Sequence, residues 1–345
     1  MDPANNSDAV QSRALDLIGE AYGLANATMI RLEQGAQNAS FRVESGDHTF
    51  YLKRYESRLY RPDQVRHSLE IQNAVSQLGL SVPMVVLNRH GDITTETEDG
   101  TYALSTFVAG GQYRRGQIPA LAARSMGETL GKLHLALGRL AEPRPYVPPD
   151  PLATQRHLER VLALALPWQA RSVVDERSCR VLRHKLACLE RYAPFAKDLP
   201  AMREQLVHGD YQETNLIFDD DERVAAVLDF DNLRFNPRAV EVTRTLSLCF
   251  LHDGLLLPEA DPFFTGYQQI MHVPESEVAT YAALRTYLSC TSAWPIEVRY
   301  LNPEAYQSRW DRFIEEPSDW WGRNGDQVTE RLIRVSAQAP DRREA

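Results

Sequence analysis

Residues 208–215, His-Gly-Asp-Tyr-Gln-Glu-Thr-Asn, are followed by an apolar segment that ends in Val-Leu-Asp-Phe-Asp at residues 227–231. The short apolar runs on either side of an Asp-Asp-Asp turn are typical of a β-hairpin. Asp210 and Asn215 therefore lie on one predicted loop, and the hairpin returns Asp229 toward that loop. The spacing predicts that three side-chain oxygens converge on one point.

An Asp, an Asn and a second Asp in this order are the arrangement that kinases use for phosphoryl transfer. The pattern predicts that Asp210 accepts a proton from the attacking hydroxyl and that Asn215 and Asp229 bind metal. The alternative is that the acids are turn residues and solvated carboxylates. Asp231 is a further metal-ligand candidate or a turn cap, because strand alternation places it on the same face as Asp229.

The composition is that of an ordinary globular protein, with 345 residues and a net charge of −9. This length suffices for two lobes with separate cores or for one large domain. The chain has no run of Lys and Arg to neutralise phosphates, so the sequence argues against a nucleic-acid partner. Nucleotide binding stays open, because one Lys and a bound metal suffice for a triphosphate.

The cysteines and the N-terminus indicate a cytoplasmic protein. The four cysteines are scattered without the close spacing of a zinc or redox motif, and we expect free buried thiols. The N-terminus lacks a signal pattern, and no apolar run reaches the roughly 20 residues that span a bilayer. We therefore expect no membrane partner.

Apolar periodicity divides the chain into a sheet-rich part and a helical part. Residues 1–108 contain short strand-like segments and an inserted helix, and we interpret them as a nucleotide-binding lobe. A glycine-containing break leads into residues 109–336, the predicted helical lobe for catalysis and substrate binding, and residues 337–345 are expected to fray. The predicted fold is α+β, with two lobes and a cleft that suits a nucleotide.

The first lobe offers a second set of residues for the nucleotide. A kinase-type site needs a strand Lys for the triphosphate and a helix Glu that holds this Lys. Lys53 lies in an apolar strand context, and Glu70 lies in the following predicted helix. Arg54 is the alternative phosphate ligand, but adjacent strand residues face opposite ways. We choose Lys53 because it follows the apolar Leu52.

The loop at residues 35–40, Gly-Ala-Gln-Asn-Ala-Ser, lies between two predicted strands. Its backbone amides are expected to fold over phosphate groups. The loop is neither a P-loop nor the fuller glycine-rich loop of protein kinases, so this interpretation depends on its position before Lys53.

Taken together, these motifs make the chain similar to the aminoglycoside phosphotransferase and homoserine kinase-like superfamily, which shares the protein-kinase-like fold. The resemblance runs from about Ile30 to about Leu248. It rests on Glu70 and on residues 35–43, 51–53, 82–83, 105–110, 130–134, 208–215 and 228–230.

The resemblance implies a site that binds ATP and Mg2+. It assigns the catalytic base to Asp210 and the magnesium ligands to Asn215 and Asp229. It implies nucleotide contacts for a further set of residues, namely Gly35, Asn38, Ser40, Lys53, Glu70, Thr106 and Val108.

One position departs from the family pattern. Similar proteins follow the metal-binding Asp with a Pro and then an Asp at a helix start, whereas this chain carries Pro237 and Glu241. Because the charge is kept in a longer side chain, we expect its structural role to persist. His134 also matches the family and is expected to be a buried structural residue, and His208 is expected to order the catalytic loop.

The acceptor of the phosphoryl group stays open among several classes. The C-terminal segment contains Trp294, Arg299, Trp310 and the pair at 320–321. Aromatic faces with acids suit a sugar or a cationic amine, Arg299 suits a carboxylate, and the alternative is that at least half of the Trp residues pack the last helices. We predict an ATP- and Mg2+-dependent kinase for the hydroxyl of a small molecule: an amino alcohol, a homoserine-like hydroxy amino acid, a sugar or an aminoglycoside.

Two other functions compete with this prediction. A protein Ser/Thr kinase on the same scaffold is disfavoured, because no activation segment with a phosphorylation site follows Asp229. A non-catalytic nucleotide-binding protein is disfavoured because the predicted catalytic and ligand residues are all present, namely Lys53, Asp210, Asn215 and Asp229. The oligomeric state and the preference between ATP and GTP stay open.

Overall fold

The computed structural model describes residues 3–32, 39–198, 202–315 and 318–338. These residues form two compact units. The first contains the described residues through Gly111 together with Asn215–Asp220 and Ala225–Asn232, and the second contains Gln112–Thr214, Asp221–Val224 and the described residues from Leu233 onward. The prediction placed the lobe boundary after residue 108 and assigned both later segments to the other lobe.

The first unit combines an antiparallel sheet with two helices. In chain order its elements are α1 (Pro3–Tyr22), β1 (Thr28–Leu32), β2 (Ala39–Ser45), β3 (His48–Tyr55), α2 (Pro62–Gln77), β4 (Val85–Val86), β5 (Thr95–Thr97) and β6 (Gly100–Thr106). The strand order is β1-β2-β3-β6-β4, and β5 also pairs with β6. The turn predicted between β2 and β3 is therefore a hairpin.

The two faces of this sheet have different cores. Phe41, Leu52 and Leu104 are fully buried on the face that packs against α1. Because side chains alternate along a strand, Lys53 faces the other way, where Tyr55 packs with residues of α2. The sheet thus presents Lys53 on its α2 side.

Most of a short hairpin from later in the chain also belongs to the first unit, whereas its turn, Asp221–Val224, belongs to the second. Its strands are β9 (Leu216–Phe218) and β10 (Val224–Val227), which pair with each other. Gly111 and Phe218 exchange two backbone hydrogen bonds of 2.9 Å each. Gly110 has a φ of +151°, and a Cβ there would lie 2.4 Å from the Phe218 carbonyl oxygen, so a side chain does not fit. The hairpin that leads to Asp229 is anchored to the segment after β6.

The second unit is mainly helical. Its elements are α3 (Ala120–Leu140), β7 (Arg144–Pro145), α4 (Pro151–Ala165), α5 (Val173–Asp198), β8 (Arg203–Val207), β11 (Arg234–Asn236), α6 (Arg238–Thr245), β12 (Leu251–His252), β13 (Leu255–Leu256), α7 (Ala260–Ile270), α8 (Glu275–Thr291), α9 (Ile296–Leu301) and α10 (Trp320–Gln338). Strand β8 lies between β11 and β7 and leads directly into the predicted catalytic loop.

Helices α3 and α7 touch backbone to backbone at two glycines. A Cβ at Gly127 would lie 1.8 Å from the carbonyl oxygen of Phe263, and one at Gly266 would lie 2.2 Å from the carbonyl oxygen of Arg124. A larger side chain at either position would push the helices apart. This close contact places His134 of α3 beside Tyr267 of α7, at a ring-centroid distance of 5.6 Å.

The start of one helix has a local explanation. Helix α2 begins at Pro62, because Pro suits the first helical turn and Arg61 and Gln64 form reciprocal capping bonds. Helix α10 runs beyond the predicted limit at 336 to Gln338, and residues 339–345 lie outside the described part of the chain. All four cysteines are buried and free, as predicted. In the described ranges, no helix combines the length and apolarity that crossing a bilayer requires.

Candidate active site

Lys53 joins the two acidic residues that follow β10. Its Nζ lies 2.9 Å from Oδ1 of Asp229 and 2.7 Å from Oδ2 of Asp231. Arg54 lies on the opposite face, where its guanidinium binds the carbonyl oxygen and carboxylate of Asp99. The structure therefore directs Lys53, and not Arg54, toward the predicted metal-binding acid.

The electrostatics of this cluster are those of a buried cation site. Burial alone lowers the pKa of Lys53, but the charges of Asp229 and Asp231 outweigh burial and raise it well above its usual value. Asp231 is 7% exposed, and burial together with the charge of Asp229 raises its pKa to about 7. Asp229 is 35% exposed, so it is the more accessible carboxylate. Two carboxylates converge on one positive charge, with oxygen donors of the kind that Mg2+ prefers.

Asp229 has an unusual backbone conformation. Its φ is +63°, in the left-handed region that residues other than Gly rarely adopt and that Asp and Asn tolerate best. A 3-10 turn, Phe230–Asn232, follows it and buries Phe230. Asp231 therefore reaches Lys53 through this turn, and the strand alternation that we expected at 229–231 is wrong. Strained backbone of this kind is common at functional sites.

Asn215 lies next to the segment that carries Asp229. The residue is buried, and its backbone carbonyl oxygen accepts a 2.8 Å hydrogen bond from the backbone N–H of Leu228. Asn215 immediately precedes β9, and Leu228 immediately follows β10. The hairpin thus holds the two predicted metal-ligand positions at the same end.

The other residues predicted to bind nucleotide have varied surroundings. Ser40 is buried opposite Lys53 in the sheet, and its hydroxyl lies 2.6 Å from that of Tyr51. Thr106 ends β6, and its hydroxyl accepts a hydrogen bond from the N–H of Met84. Val108 follows β6 and is partly buried, whereas Gly35 and Asn38 lie outside the described residues.

Glu70 is not brought to Lys53. It lies on α2 with an exposed side chain, and within the described residues the ion pairs of Lys53 go to Asp229 and Asp231. The nucleotide role of Glu70, and those of Ser40, Thr106 and Val108, stay predictions.

In the second unit, the loop after β8 is clamped by Glu241. The fully buried Glu241 carboxylate accepts hydrogen bonds from the backbone N–H groups of His208 (3.1 Å) and Gly209. It also lies 3.0 Å from Nε2 of His134. Gly209 has a φ of +79°, which explains the need for glycine between His208 and Asp210. The expected structural role of Glu241 is therefore visible in three contacts.

His134 acts as a neutral support for this clamp. Burial lowers its pKa, so the ring carries one N–H. Because Glu241 accepts at Nε2, that nitrogen carries the proton, and Nδ1 accepts from the hydroxyl of Tyr267 at 2.8 Å. Burial opposes ionisation of Glu241, but the hydrogen bond from His134 and the other contacts outweigh burial and lower its pKa. His134 thus has the structural role that the sequence predicted.

Asp210 is held by side chains of the same unit. Nη2 of Arg244 donates to its Oδ1 at 2.6 Å, and Nε2 of Gln212 lies 3.2 Å from both carboxylate oxygens. The N–H of Asp210 donates to Nδ1 of His208, which supports the predicted ordering role of that histidine. A carboxylate held in this way suits the orientation of a hydroxyl and acceptance of its proton.

The sequence profile of the phosphotransferase enzyme family matches residues 28–275. The chain belongs to this phosphotransferase family. It is therefore an enzyme that transfers a phosphoryl group to a hydroxyl, and the enzyme class predicted from the sequence is confirmed.

Curated relatives of this phosphotransferase include two homoserine kinases. The one from Xanthobacter autotrophicus is 27% identical over 81% of this chain and 85% of its own length. The one from a Caulobacter species is 25% identical over 79% of this chain and 83% of its own length.

Solved structures confirm the predicted protein-kinase-like fold. Amicoumacin kinase hAmiN, solved in complex with AMP-PNP and Ca2+, superimposes with a TM-score of 0.62 at 12% identity and covers 99% of this chain and 97% of its own. The microcompartment-associated aminopropanol kinase superimposes with a TM-score of 0.53 at 16% identity, covering 94% of this chain and 98% of its own.

Sequence reasoning missed two features of this phosphotransferase. Arg244 carried no signal, because one Arg within an amphipathic helix is ordinary and its contact with Asp210 is a tertiary one across 34 positions. Arg299, which we considered for a substrate carboxylate, is used internally by Asp175 and Asp311. Trp310 and Trp321 are buried, as expected for residues that pack the last helices.

Glu241→Gln is expected to weaken the clamp of the phosphotransferase. The Gln side chain has one acceptor oxygen, whereas the Glu carboxylate has two. The NH2 group of Gln would face an N–H donor of His134, His208 or Gly209, so at least one of these buried donors loses its acceptor. We expect a loss of about 1–3 kcal/mol in unfolding free energy and a lower kcat, with the KM for nucleotide little changed. Urea denaturation and steady-state kinetics measure both. Glu142→Gln, at an exposed loop position, is the matched control, and equal behaviour of the two variants would contradict the clamp.

Proposed function

We propose that this phosphotransferase uses ATP and Mg2+ to phosphorylate the hydroxyl of a small molecule. The observation that carries this proposal is the convergence of Asp229 and Asp231 on the ammonium of Lys53, at 2.9 and 2.7 Å. A site with two carboxylates and an adjacent Lys suits a metal–triphosphate complex, in which the Lys contacts the phosphates. Asn215 and Asp229 would hold Mg2+, and Asp231 would remain the buried partner of Lys53.

The proposed reaction is direct transfer of the γ-phosphoryl group. The acceptor oxygen forms a bond to the γ-phosphorus, the bond from that phosphorus to the bridging oxygen breaks, and its electron pair leaves with ADP. Asp210 orients the hydroxyl and takes its proton, while Arg244 and the loop held by Glu241 fix the direction of the carboxylate. Mg2+, when bound, supplies charge neutralisation for the phosphate oxygens.

Among small molecules, the named relatives and neighbours suggest several acceptors. These relatives and neighbours are named for homoserine, aminopropanol, amicoumacin and spectinomycin. A protein substrate has less support, because the curated relatives are named for homoserine, which is a small molecule.

The test is a coupled assay of ADP release with purified full-length protein. The acceptors are L-homoserine, 3-amino-1-propanol, a neutral sugar and an aminoglycoside, each with ATP in the presence of MgCl2 or of EDTA. We expect acceptor-dependent ADP release that EDTA abolishes. Release that is independent of every acceptor, or insensitive to EDTA, would contradict the proposal.

A further inference from the structure

Two arginines of the second unit contact the catalytic loop, and a third lies on a helix that packs beside one of them. Arg244 of α6 binds Asp210 through Nη2, and Arg234 of β11 directs Nη2 toward the carbonyl oxygen of Gly209 at 3.4 Å. Arg285 lies on α8, the helix that packs against α6. Burial and the charge of Arg244 lower the pKa of Arg285 to about 10, in agreement with the packing of α8 against α6.

Arg285 has no counter-ion in the described part of the chain. No hydrogen bond or ion pair is formed by its guanidinium among these residues, and its Nε is fully buried. The neighbouring Nη1 of Arg244 is also buried and lacks an acceptor within the same residues. Burial and the charge of Arg285 lower the pKa of Lys185, whereas Cys290 and Glu297 act in the opposite direction, so Lys185 has an acid of its own and is not counted with the arginines.

The acids of this region are already bound by other groups. Glu241 binds the loop amides and His134, and Glu277 pairs with Arg238. Glu213 accepts from the thiol of Cys249 at 3.2 Å. Asp210 is therefore the acid that directly balances Arg244, and no acid contributes to the pKa shift of Arg285.

The side chains of Arg244 and Arg285 are partly exposed, but each has a buried guanidinium nitrogen without an acceptor among the described residues, and such a group is costly unless a bound anion or water completes it. Arg234, Arg244 and Arg285 carry three positive charges. Asp210 and Glu241 supply two negative charges, which oppose the lowering of the pKa of Arg234 by burial. The remaining single positive charge matches a monoanion better than a phosphate dianion. Arginine binds the planar carboxylate through parallel N–H donors.

We propose that Arg285 and Nη1 of Arg244 bind a carboxylate of the acceptor molecule, next to the hydroxyl that Asp210 activates. This inference rests on the proposed function and narrows its substrate class to hydroxy acids, including hydroxy amino acids. Cationic aminoglycosides and simple amino alcohols lack the group that these arginines bind.

Two matched substrate pairs test the inference. L-Homoserine and 3-amino-1-propanol differ only by the carboxylate, as do L-threonine and 1-amino-2-propanol. For at least one pair, the wild type is expected to favour the carboxylate by about 30-fold or more in kcat/KM. In Arg285→Met this preference should fall to about 3-fold through a higher acceptor KM, with the KM for ATP unchanged. Arg160→Met, at an exposed position on α4, is the control that keeps the preference.

A stability measurement separates a ligand-binding role from a structural one. Removing an uncompensated buried charge should leave the Tm of the unliganded Arg285→Met variant equal to or above that of the wild type. If Arg285 instead stabilises the fold, the variant should have a lower Tm than the wild type. A lower Tm of the variant together with a retained carboxylate preference overturns the proposal. If Met disturbs packing, Arg285→Gln provides the same comparison with a polar side chain.

Calorimetry without ATP distinguishes failure of this inference from failure of the proposed function. If no acceptor is phosphorylated, the proposed function fails, and binding of L-homoserine and L-threonine to wild type and Arg285→Met still tests the site. The site is supported if the wild type binds L-homoserine or L-threonine and the Arg285→Met substitution weakens that binding by about 30-fold. Turnover of amino alcohols or aminoglycosides at rates equal to the carboxylate acceptors, or no carboxylate binding by the wild type, overturns it.

Discussion

Asp210→Asn is expected to lower kcat by about 100-fold to 10,000-fold, because the amide cannot accept the proton of the attacking hydroxyl. The amide has nearly the same shape as the carboxylate and still offers an oxygen to Arg244, whose Nη2 lies 2.6 Å from Oδ1. Affinity for ATP, measured by calorimetry, should change little. Rapid-quench and steady-state assays of ADP formation measure the loss.

Asp220→Asn is the matched control for this substitution, since it makes the same change at an exposed turn between β9 and β10. A variant at position 210 that keeps most of the wild-type rate would remove Asp210 from its role as base. A loss of rate that is accompanied by an equal loss in the control would indicate a nonspecific effect.

Asp229→Asn is expected to remove most of the benefit that Mg2+ gives to nucleotide binding. Asn tolerates the left-handed φ of +63°, whereas Ala at this position would add backbone strain to the loss of charge. Replacing a charged metal ligand with a neutral one should weaken binding of Mg2+–ATP about 100-fold and lower kcat by a larger factor.

Calorimetric titration of ATP with and without MgCl2 measures the effect at position 229. The wild type should bind ATP more tightly with Mg2+ than without it, and the variant should show little difference. Lys53 keeps its second partner, Asp231, so the variant should remain folded. Equal dependence on Mg2+ in the two proteins would rule Asp229 out as a metal ligand.

Much of the fold was predictable because its signals are local. The turn at 45–47 sets the β2–β3 hairpin, and the register of that hairpin follows from alternating apolar residues such as Phe41 and Leu52. The positions of Asp210, Asn215 and Asp229 are also local, since a loop and one hairpin connect them. Strand β5 was not predicted, because three exposed or partly buried residues carry no periodicity.

Side-chain partners were less predictable, because they depend on tertiary contacts. Glu70 was expected to hold Lys53, yet Lys53 contacts Asp231, which the sequence supported only as a weaker metal candidate. The pairing of Arg244 with Asp210 joins residues separated by 34 positions, and the isolation of Arg285 depends on which acids other residues have already bound. No pattern in the sequence predicts which of these charged side chains pair with one another.

The clamp formed by Glu241 ties the activity of this enzyme to the order in which its chain assembles. Glu241 follows Gly209 by 32 positions, and its own orientation depends on His134 and Tyr267, which belong to α3 and α7. During synthesis the loop therefore emerges before the residue that shapes it, and Tyr267 emerges later still. The loop can therefore take its active geometry only after synthesis has passed Tyr267, so a chain that ends before α7 lacks the contacts that shape its catalytic loop.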